Sequence, residues 1–216
     1  MLEYKEGISK ATIARLPIYL RFLRDRQAAG ERYASSTQIA DRMRLNPVQV
    51  RKDLALVSSE SGRPKLGFRI DELIEDIERF LGCDNVNDAL IVGVGGLGRT
   101  LLAYEGFRNY GLNIVAAFDS SPEIVGRTYG GLTVQPVGEL VRTAVEKNVK
   151  MGIITVPKSA AQGVAEVMVA GGIRAIWNFA PAHLSLPDNI AVKNEDLAAS
   201  LAVLSRQLKN VDPAAQ

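Results

Sequence analysis

Residues 89–98 read ALIVGVGGLG, and this stretch decides the fold. An apolar run with the composition of a buried strand leads into Gly93, Gly95 and Gly98, spaced G-x-G-x-x-G, and then into a helical pattern. Glycines at these places allow a tight turn, let backbone approach a pyrophosphate, and bring the following helix N-terminus close to it. The next apolar run, residues 113–118, ends on Asp119, which stands 26 residues past Gly93. That is close to the spacing of about 20 at which such folds place an acid for the adenosine ribose. An acid there accepts both ribose hydroxyls and repels a 2′-phosphate, so the pattern favours NAD(H) over NADP(H). A Rossmann-like domain without a ligand, or one for coenzyme A or S-adenosylmethionine, is the alternative these residues leave open.

Downstream, strands and helices alternate. Helices are expected to about residue 110, at 140–145 and at 159–170; strands at 151–156, 174–177 and 191–193. The strands are apolar throughout, as in a parallel sheet covered on both faces. A last apolar-rich helix is expected over 195–209, with VDPAAQ as a frayed tail.

Upstream, the charge changes sign. Residues 1–70 carry 14 Lys/Arg against 7 Asp/Glu, whereas residues 71–216 carry 12 against 17. A basic first third implies a separate module with an anionic partner, although a solvated basic face is the plainer reading. Ser9 is placed to cap a helix that runs to about Ala29, with Gly30 as its stop and Pro17 marking a kink or a fresh start. Ser35 or Ser36 caps a short second helix, and Asn46-Pro47 opens a third, VQVRKDLALV. Short helix, tight turn and short helix make a helix-turn-helix. The segment SSESGRPKLGFRI reads as a β-hairpin or wing, Asp71 as the cap of a helix ending near Gly82, and CDNVND as a linker. The residues placed for DNA are Ser36, Gln49, Arg51 and Lys52, with Arg63 and Lys65 on the wing. Glutamine pairs with adenine, arginine with guanine or phosphate, and basic wing residues suit phosphates or the minor groove.

Composition sets the remaining bounds. The 216 residues are 47% hydrophobic and 23% charged, the balance of a globular protein of one or two domains. No apolar run approaches the ~20 residues that span a bilayer, and the N-terminus lacks a secretory h-region. One cysteine, Cys83, and one histidine, His183, leave no set of ligands for a transition metal. These features point to the cytoplasm. The α/β region is one dinucleotide fold, with no room for a substrate domain. No tyrosine is followed four residues later by lysine: Tyr104 precedes Arg108, and Tyr129 precedes Thr133. His183 and Lys158 are the only general-acid candidates near the site, and both have structural readings. A dinucleotide site without catalytic residues, joined to a DNA-binding module, implies a sensor rather than an enzyme. A small NAD-dependent oxidoreductase with an accessory helix-turn-helix is the alternative.

The sequence resembles the Rex family of bacterial redox-sensing transcriptional repressors. The segments that carry the resemblance are SKATIARLPIYLRFL, VQVRKDLALV, LIVGVGGLGRTLLAYEGF, IVAAFDSSPEIVG, ITVPKSAAQGVAEVMVAGGIRAIWNFAPAHL and NEDLAASLAVLS. The resemblance implies a homodimer of a winged helix (residues 1–82), a Rossmann domain (83–194) and a swapped C-terminal helix (195–216). It implies binding to pseudo-palindromic double-stranded operator DNA, release by NADH, and competition by NAD+. Arg51 and Lys52 match the family's recognition helix. Gly93, Gly95 and Gly98 match the pyrophosphate turn, Gly96 and Leu97 between them are expected at the cofactor with it, and Asp119 matches the ribose ligand. Thr155, Val156 and Pro157 match a loop lining the dinucleotide; Asn178, Phe179 and Ala180 match a loop near the nicotinamide. Arg15, Asp196 and Tyr104 match a switch in which the Asp of one subunit alternates between the other two residues. Gly96 stands where the family usually has Asn, Phe68 where its wing has Tyr, and Leu197 where an aromatic follows the switch Asp.

Overall fold

The computed structural model describes residues 8–83 and 87–211. The tail after 211, and residues 84–86 of the expected linker, lie outside the described residues. The chain divides into two compact units, one built on residues 8–83 together with Arg108–Gly111, the other on Asn87–Phe107 and the residues from Leu112 onward.

The first unit is four helices and a two-stranded ribbon. Ser9 caps α1 (Lys10–Ala28) by accepting from the Thr12 amide, and Gly30 follows its C-terminus at φ +81°. Pro17 lies inside an unbroken α1, so the fresh start considered from the sequence does not occur. Ser35, not Ser36, caps α2 (Ser36–Met43) through a reciprocal capping box with Gln38. Asn46 caps α3 (Pro47–Val57), with Pro47 at its first position. Strand β1 (Tyr33–Ala34) pairs antiparallel with β2 (Phe68–Arg69), which leads into α4 (Ile70–Leu81). Asp71 does not cap α4: it sits within the first turn and pairs with Arg69, which occupies the cap position. Leu16, Leu20 and Leu23 of α1 meet Ile39 of α2, Val50 and Leu54 of α3, and Leu73 and Ile77 of α4 in one buried core. The wing is reduced to a single bridge, Arg63 to Gly67, around Lys65 at φ +67°. Gly67 is obligatory, because a Cβ there would stand 2.3 Å from the Ala34 carbonyl oxygen.

The second unit is a seven-stranded sheet. In chain order its strands are β3 (Asn87–Val92), β4 (Leu112–Asp119), β5 (Thr128–Tyr129), β6 (Leu132–Pro136), β7 (Met151–Ile154), β8 (Ala175–Asn178) and β9 (Ala191–Asn194). They lie side by side as β5-β6-β4-β3-β7-β8-β9, all parallel except the edge strand β5. The β5–β6 hairpin was not foreseen; Gly130-Gly131 between Thr128–Tyr129 and LTVQP is its signal, since both glycines take the positive φ that a two-residue hairpin requires. Helix α5 (Gly96–Leu102) is seven residues long and gives way to a 3-10 turn, Glu105–Tyr110, instead of running on to residue 110. Helices α6 (Leu140–Glu146) and α7 (Lys158–Ala170) cover one sheet face, where Leu90, Val92 and Phe118 meet Leu140, Ala161, Ala165 and Met168. The opposite face buries Ala89, Ile91, Ala117 and Ile153 under Leu101, Leu102 and Trp177. Helix α8 (Leu197–Val211) ends the described chain, and the Asp196 carboxylate accepts from the Ala199 amide at its start.

Candidate functional site

The sheet reverses its winding at β3, with β4 on one side and β7 on the other. In open α/β sheets, ligands bind beyond the carboxyl ends of the strands at such a switch point. The glycine turn leaves β3 there, Asp119 ends β4, Thr155–Pro157 follow β7, and Asn178–Ala180 follow β8. The structure thus brings four separately expected segments to one edge.

Backbone fit explains the glycines. Gly93 takes φ +97°, and a Cβ on it would sit 2.8 Å from the Thr155 carbonyl carbon. A Cβ on Gly98 would meet the Gly93 carbonyl oxygen at 2.0 Å. Gly95 and Gly96 face open space, so their Cβ positions are free for an approaching group. The Thr155 hydroxyl donates to the Val92 and Gly93 carbonyls, and its amide to Val92, which locks the β7 loop against the turn. Asp119 accepts from the Val94 amide at 2.7 Å through Oδ2 and from the Ser121 amide at 2.8 Å through Oδ1. Each carboxylate oxygen keeps acceptor capacity beyond that bond.

Asn178 is fully buried, and its side chain makes four hydrogen bonds. Its Nδ2 donates to the Ala180 and Ala182 carbonyls and to Asn194 Oδ1, while its Oδ1 accepts from the Ala180 amide. It shapes the loop that carries Phe179 and Ala180 and offers no side-chain atom outward. Trp177 packs against Phe179 at 4.6 Å and Phe107 at 5.6 Å, and Phe107 meets Tyr104 edge-on at 5.0 Å. Tyr104 is 59% exposed and stands beyond the far end of α5, away from the glycine turn. Lys158 and His183 are exposed.

In the first unit, Ser36, Arg51, Arg63 and Lys65 line one groove of about 690 Å³ between the start of α2, the outer side of α3 and the wing. Glu60 also lines it. Gln49 and Lys52 are exposed on α3 outside that lining. Arg63 donates to the Tyr33 hydroxyl at 3.2 Å, with its guanidinium over the ring.

Asp53 is a further residue of this unit, absent from the residues expected from the sequence. This carboxylate is fully buried and accepts from five donors. Thr12, Arg15 and Tyr19 come from α1, Arg15 reaching it through both Nε and Nη2, and Gln49 comes from one turn earlier on α3. Burial opposes ionisation of Asp53, but the hydrogen bonds from Arg15, Tyr19 and Gln49 outweigh it and hold the carboxyl below its usual range. Its hydrogen bond to Asp53 holds Arg15 firmly protonated, and burial, with Asp53 beside it, pushes Tyr19 up to about 12. The signal was legible: Asp53 shares the apolar side of α3 with Val50 and Leu54, where a carboxylate must find donors. Arg15, expected to meet Asp196 across subunits, is committed to Asp53 of its own chain and leaves Nη1 unused by that pair.

Fold and site define a class of two-module proteins, a winged-helix DNA-binding domain followed by a Rossmann domain. The family model "Putative DNA-binding protein N-terminus" matches residues 7–55, and "CoA binding domain" matches residues 84–182. A redox-sensing transcriptional repressor Rex of Bacteroides fragilis is 41% identical over 209 residues, covering 96% of this chain and 94% of that protein. The Rex of Desulforamulus reducens is 40% identical, with 93% and 95% covered. Among solved structures, RSP in complex with β-NAD+ and operator DNA superimposes with a TM-score of 0.88 at 31% identity, covering 96% of this chain and 95% of that one. RSP with β-NADH gives a TM-score of 0.86 at 30% identity, with 96% and 97% covered. The chain belongs to the Rex family of redox-sensing transcriptional repressors.

Proposed function

We propose that this chain is a cytoplasmic, homodimeric repressor that holds operator DNA through its winged helices and lets go when NADH occupies its Rossmann domain. The observation that carries the reading is the convergence of the glycine turn, Asp119, the Thr155 loop and the Asn178 loop at the switch point of the sheet. The pyrophosphate lies on Gly93–Gly98, with Gly95, Gly96 and Leu97 giving it backbone. Asp119 takes the adenosine ribose, Thr155, Val156 and Pro157 line the dinucleotide, and Phe179 and Ala180 lie by the nicotinamide. The name of the matched coenzyme A model suggests a different ligand. Coenzyme A carries a phosphate on its ribose, and the Asp119 carboxylate repels it, so free ribose hydroxyls fit better. The relatives are named as repressors, and on that ground we read the chain as a sensor without a catalytic step.

On DNA, Gln49 and Arg51 reach base edges, and Ser36, Lys52, Arg63 and Lys65 hold phosphates or the minor groove. Dimerisation uses α8, where Leu201, Leu204 and Leu208 are 63%, 58% and 66% exposed at helical spacing. A groove along α1 and the end of α2, lined by Ile18, Phe22, Met43 and Leu45 with Arg15, Arg21, Arg42 and one acid, Asp25, is the apolar and mainly cationic counterpart for a partner's helix. The partner's Asp196 pairs with Arg15 in the DNA-bound form and with Tyr104 when NADH binds. Because Arg15 also grips Asp53, that latch reaches α3 through a single residue. No helix among the described residues is long and apolar enough to cross a membrane, and none of their His, Cys, Asp and Glu residues group as a metal site.

Fluorescence titration with NADH, NADPH and coenzyme A, followed by gel shift with and without NADH, tests the reading. Tight NADH binding and NADH-dependent release support it. Steady turnover of NADH with a small carbonyl compound, or preference for coenzyme A, contradicts it.

A further inference from the structure

Asp53 does more than tie α3 to α1. Its Oδ1 accepts from Gln49 Nε2 at 2.9 Å. An ionised carboxylate has no hydrogen to give, so the Gln49 amide can satisfy Asp53 only with its NH2 group. An unrestrained glutamine amide turns over freely and shows a partner either its oxygen or its nitrogen. At position 49 that freedom is removed: one amide hydrogen is spent on Asp53, while the carbonyl oxygen and the second hydrogen remain. Gln49 is the third residue of α3 and is exposed, at the end of a recognition helix that meets base edges. Asp53 cannot rotate to release it, since Thr12, Arg15 and Tyr19 pin both carboxylate oxygens from α1.

We propose that Asp53 is a positioning residue that sets the base preference of Gln49, turning its amide so that Oε1 meets DNA as an acceptor and selects a base with an exocyclic amine in the major groove. Adenine satisfies both remaining groups, its N6 amine giving to Oε1 and its N7 accepting the free Nε2 hydrogen. Guanine and thymine turn an oxygen toward Oε1 and are refused. The proposal rests on the reading of α3 as a DNA recognition helix.

Selection from a random duplex pool by the full-length wild type, Gln49→Ala and Asp53→Asn tests it. One position in each half-site is expected to demand adenine for the wild type and to lose that demand in Gln49→Ala. At that position the wild type discriminates against guanine by about tenfold or more, in the range of a bidentate base contact, and Asp53→Asn relaxes this several-fold while preferences set elsewhere persist. Replacing that adenine by purine, which lacks the amine, weakens the wild type about tenfold and leaves Gln49→Ala unchanged. Gln49 is exposed, so this second comparison stands even if Asp53→Asn fails to fold. Indifference of the wild type to loss of the amine, or full discrimination by folded Asp53→Asn, overturns the proposal. A wild type that selects no sequence overturns the DNA-binding reading instead.

Discussion

Asn178 and Asn194 face each other at the carboxyl ends of β8 and β9, joined by a 2.8 Å hydrogen bond from Nδ2 of the first to Oδ1 of the second. The Glu195 amide donates to the Asn178 carbonyl beside it. One buried residue thus ties the loop carrying Phe179 and Ala180 to the segment that leads into α8. Trp177 adds a second tie, its indole N–H donating to Glu195 at 3.0 Å. These ties give the proposed dinucleotide site a short physical route to the start of α8, the helix proposed for dimerisation.

Asn178→Ala leaves the Asn194 side chain and the Ala180 amide without their buried partner. Unmade bonds of this kind cost about 1–3 kcal/mol. Urea unfolding is expected to show that loss in the Rossmann unit, together with weaker NADH binding through a loosened loop. Unchanged stability would show that water replaces the amide without penalty.

The glycines divide into two kinds. Gly98→Ala drives a methyl group into the Gly93 carbonyl oxygen and is expected to destabilise by at least the ~1–3 kcal/mol typical of overpacking. Gly96→Ala enters open space and keeps stability within about 0.5 kcal/mol, as for a surface change. Thermal melts of the two variants distinguish them.

Asp119→Ala removes the proposed ribose acceptor and also the acceptor that holds the Val94 amide. NADH binding is expected to weaken by about 1–3 kcal/mol, the range for a hydrogen bond to a charged group. The wild type should prefer NADH to NADPH in the same titration, and equal affinity for both would remove Asp119 from that role.

Tyr19 gives the winged helix an alkaline limit. Its phenol titrates at 10.0 when unfolded and at about 12 in the fold, where burial and Asp53 disfavour the anion. Below pH 10 the phenol is neutral in both states and its contribution is complete. As pH rises from 10 towards 12 the unfolded chain ionises first, and that contribution is lost. Asp53 has the opposite sign: its lowered value gives stability above pH 3.8 that disappears on further acidification. Melts between pH 9 and 12 should show a steeper fall for the wild type than for Tyr19→Phe, and parallel curves would contradict the assignment.

Much of this was legible beforehand, for identifiable reasons. The turn after β3, Asp119 and the caps Ser9 and Asn46 depend on local geometry that residue type reports directly. Asp71 looks like a cap by residue type, but the helix opens one residue earlier, at Ile70, and leaves it inside the first turn. The length of α5 was overstated because apolar spacing continues through Phe107 into a 3-10 turn. The role of Asn178 is not legible in the sequence, and for Asp53 only the need for donors is, from its place on the apolar side of α3; the partners themselves are brought together by folding, Asn194 by β8–β9 pairing, and Thr12, Arg15 and Tyr19 by packing of α1 on α3.

The proposed switch separates into two side chains. Asp196→Ala is expected to lower operator affinity and keep much of the NADH site, whereas Tyr104→Phe keeps operator binding and blunts release. Gel shifts across an NADH series read both. If Asp196→Ala binds and releases as the wild type does, the latch through Arg15 is wrong even for a working sensor.

The central claim is that NADH and operator DNA favour different states of one dimer, and a ligand shifts such an equilibrium only by its differential affinity for the two states. The direct measurement is the NADH dissociation constant of the full-length protein, alone and with saturating operator, set beside the operator dissociation constant with and without saturating NADH. The account predicts that operator weakens NADH binding by the same factor as NADH weakens operator binding, a coupling of about 1–3 kcal/mol. NADH affinity indifferent to operator would contradict it.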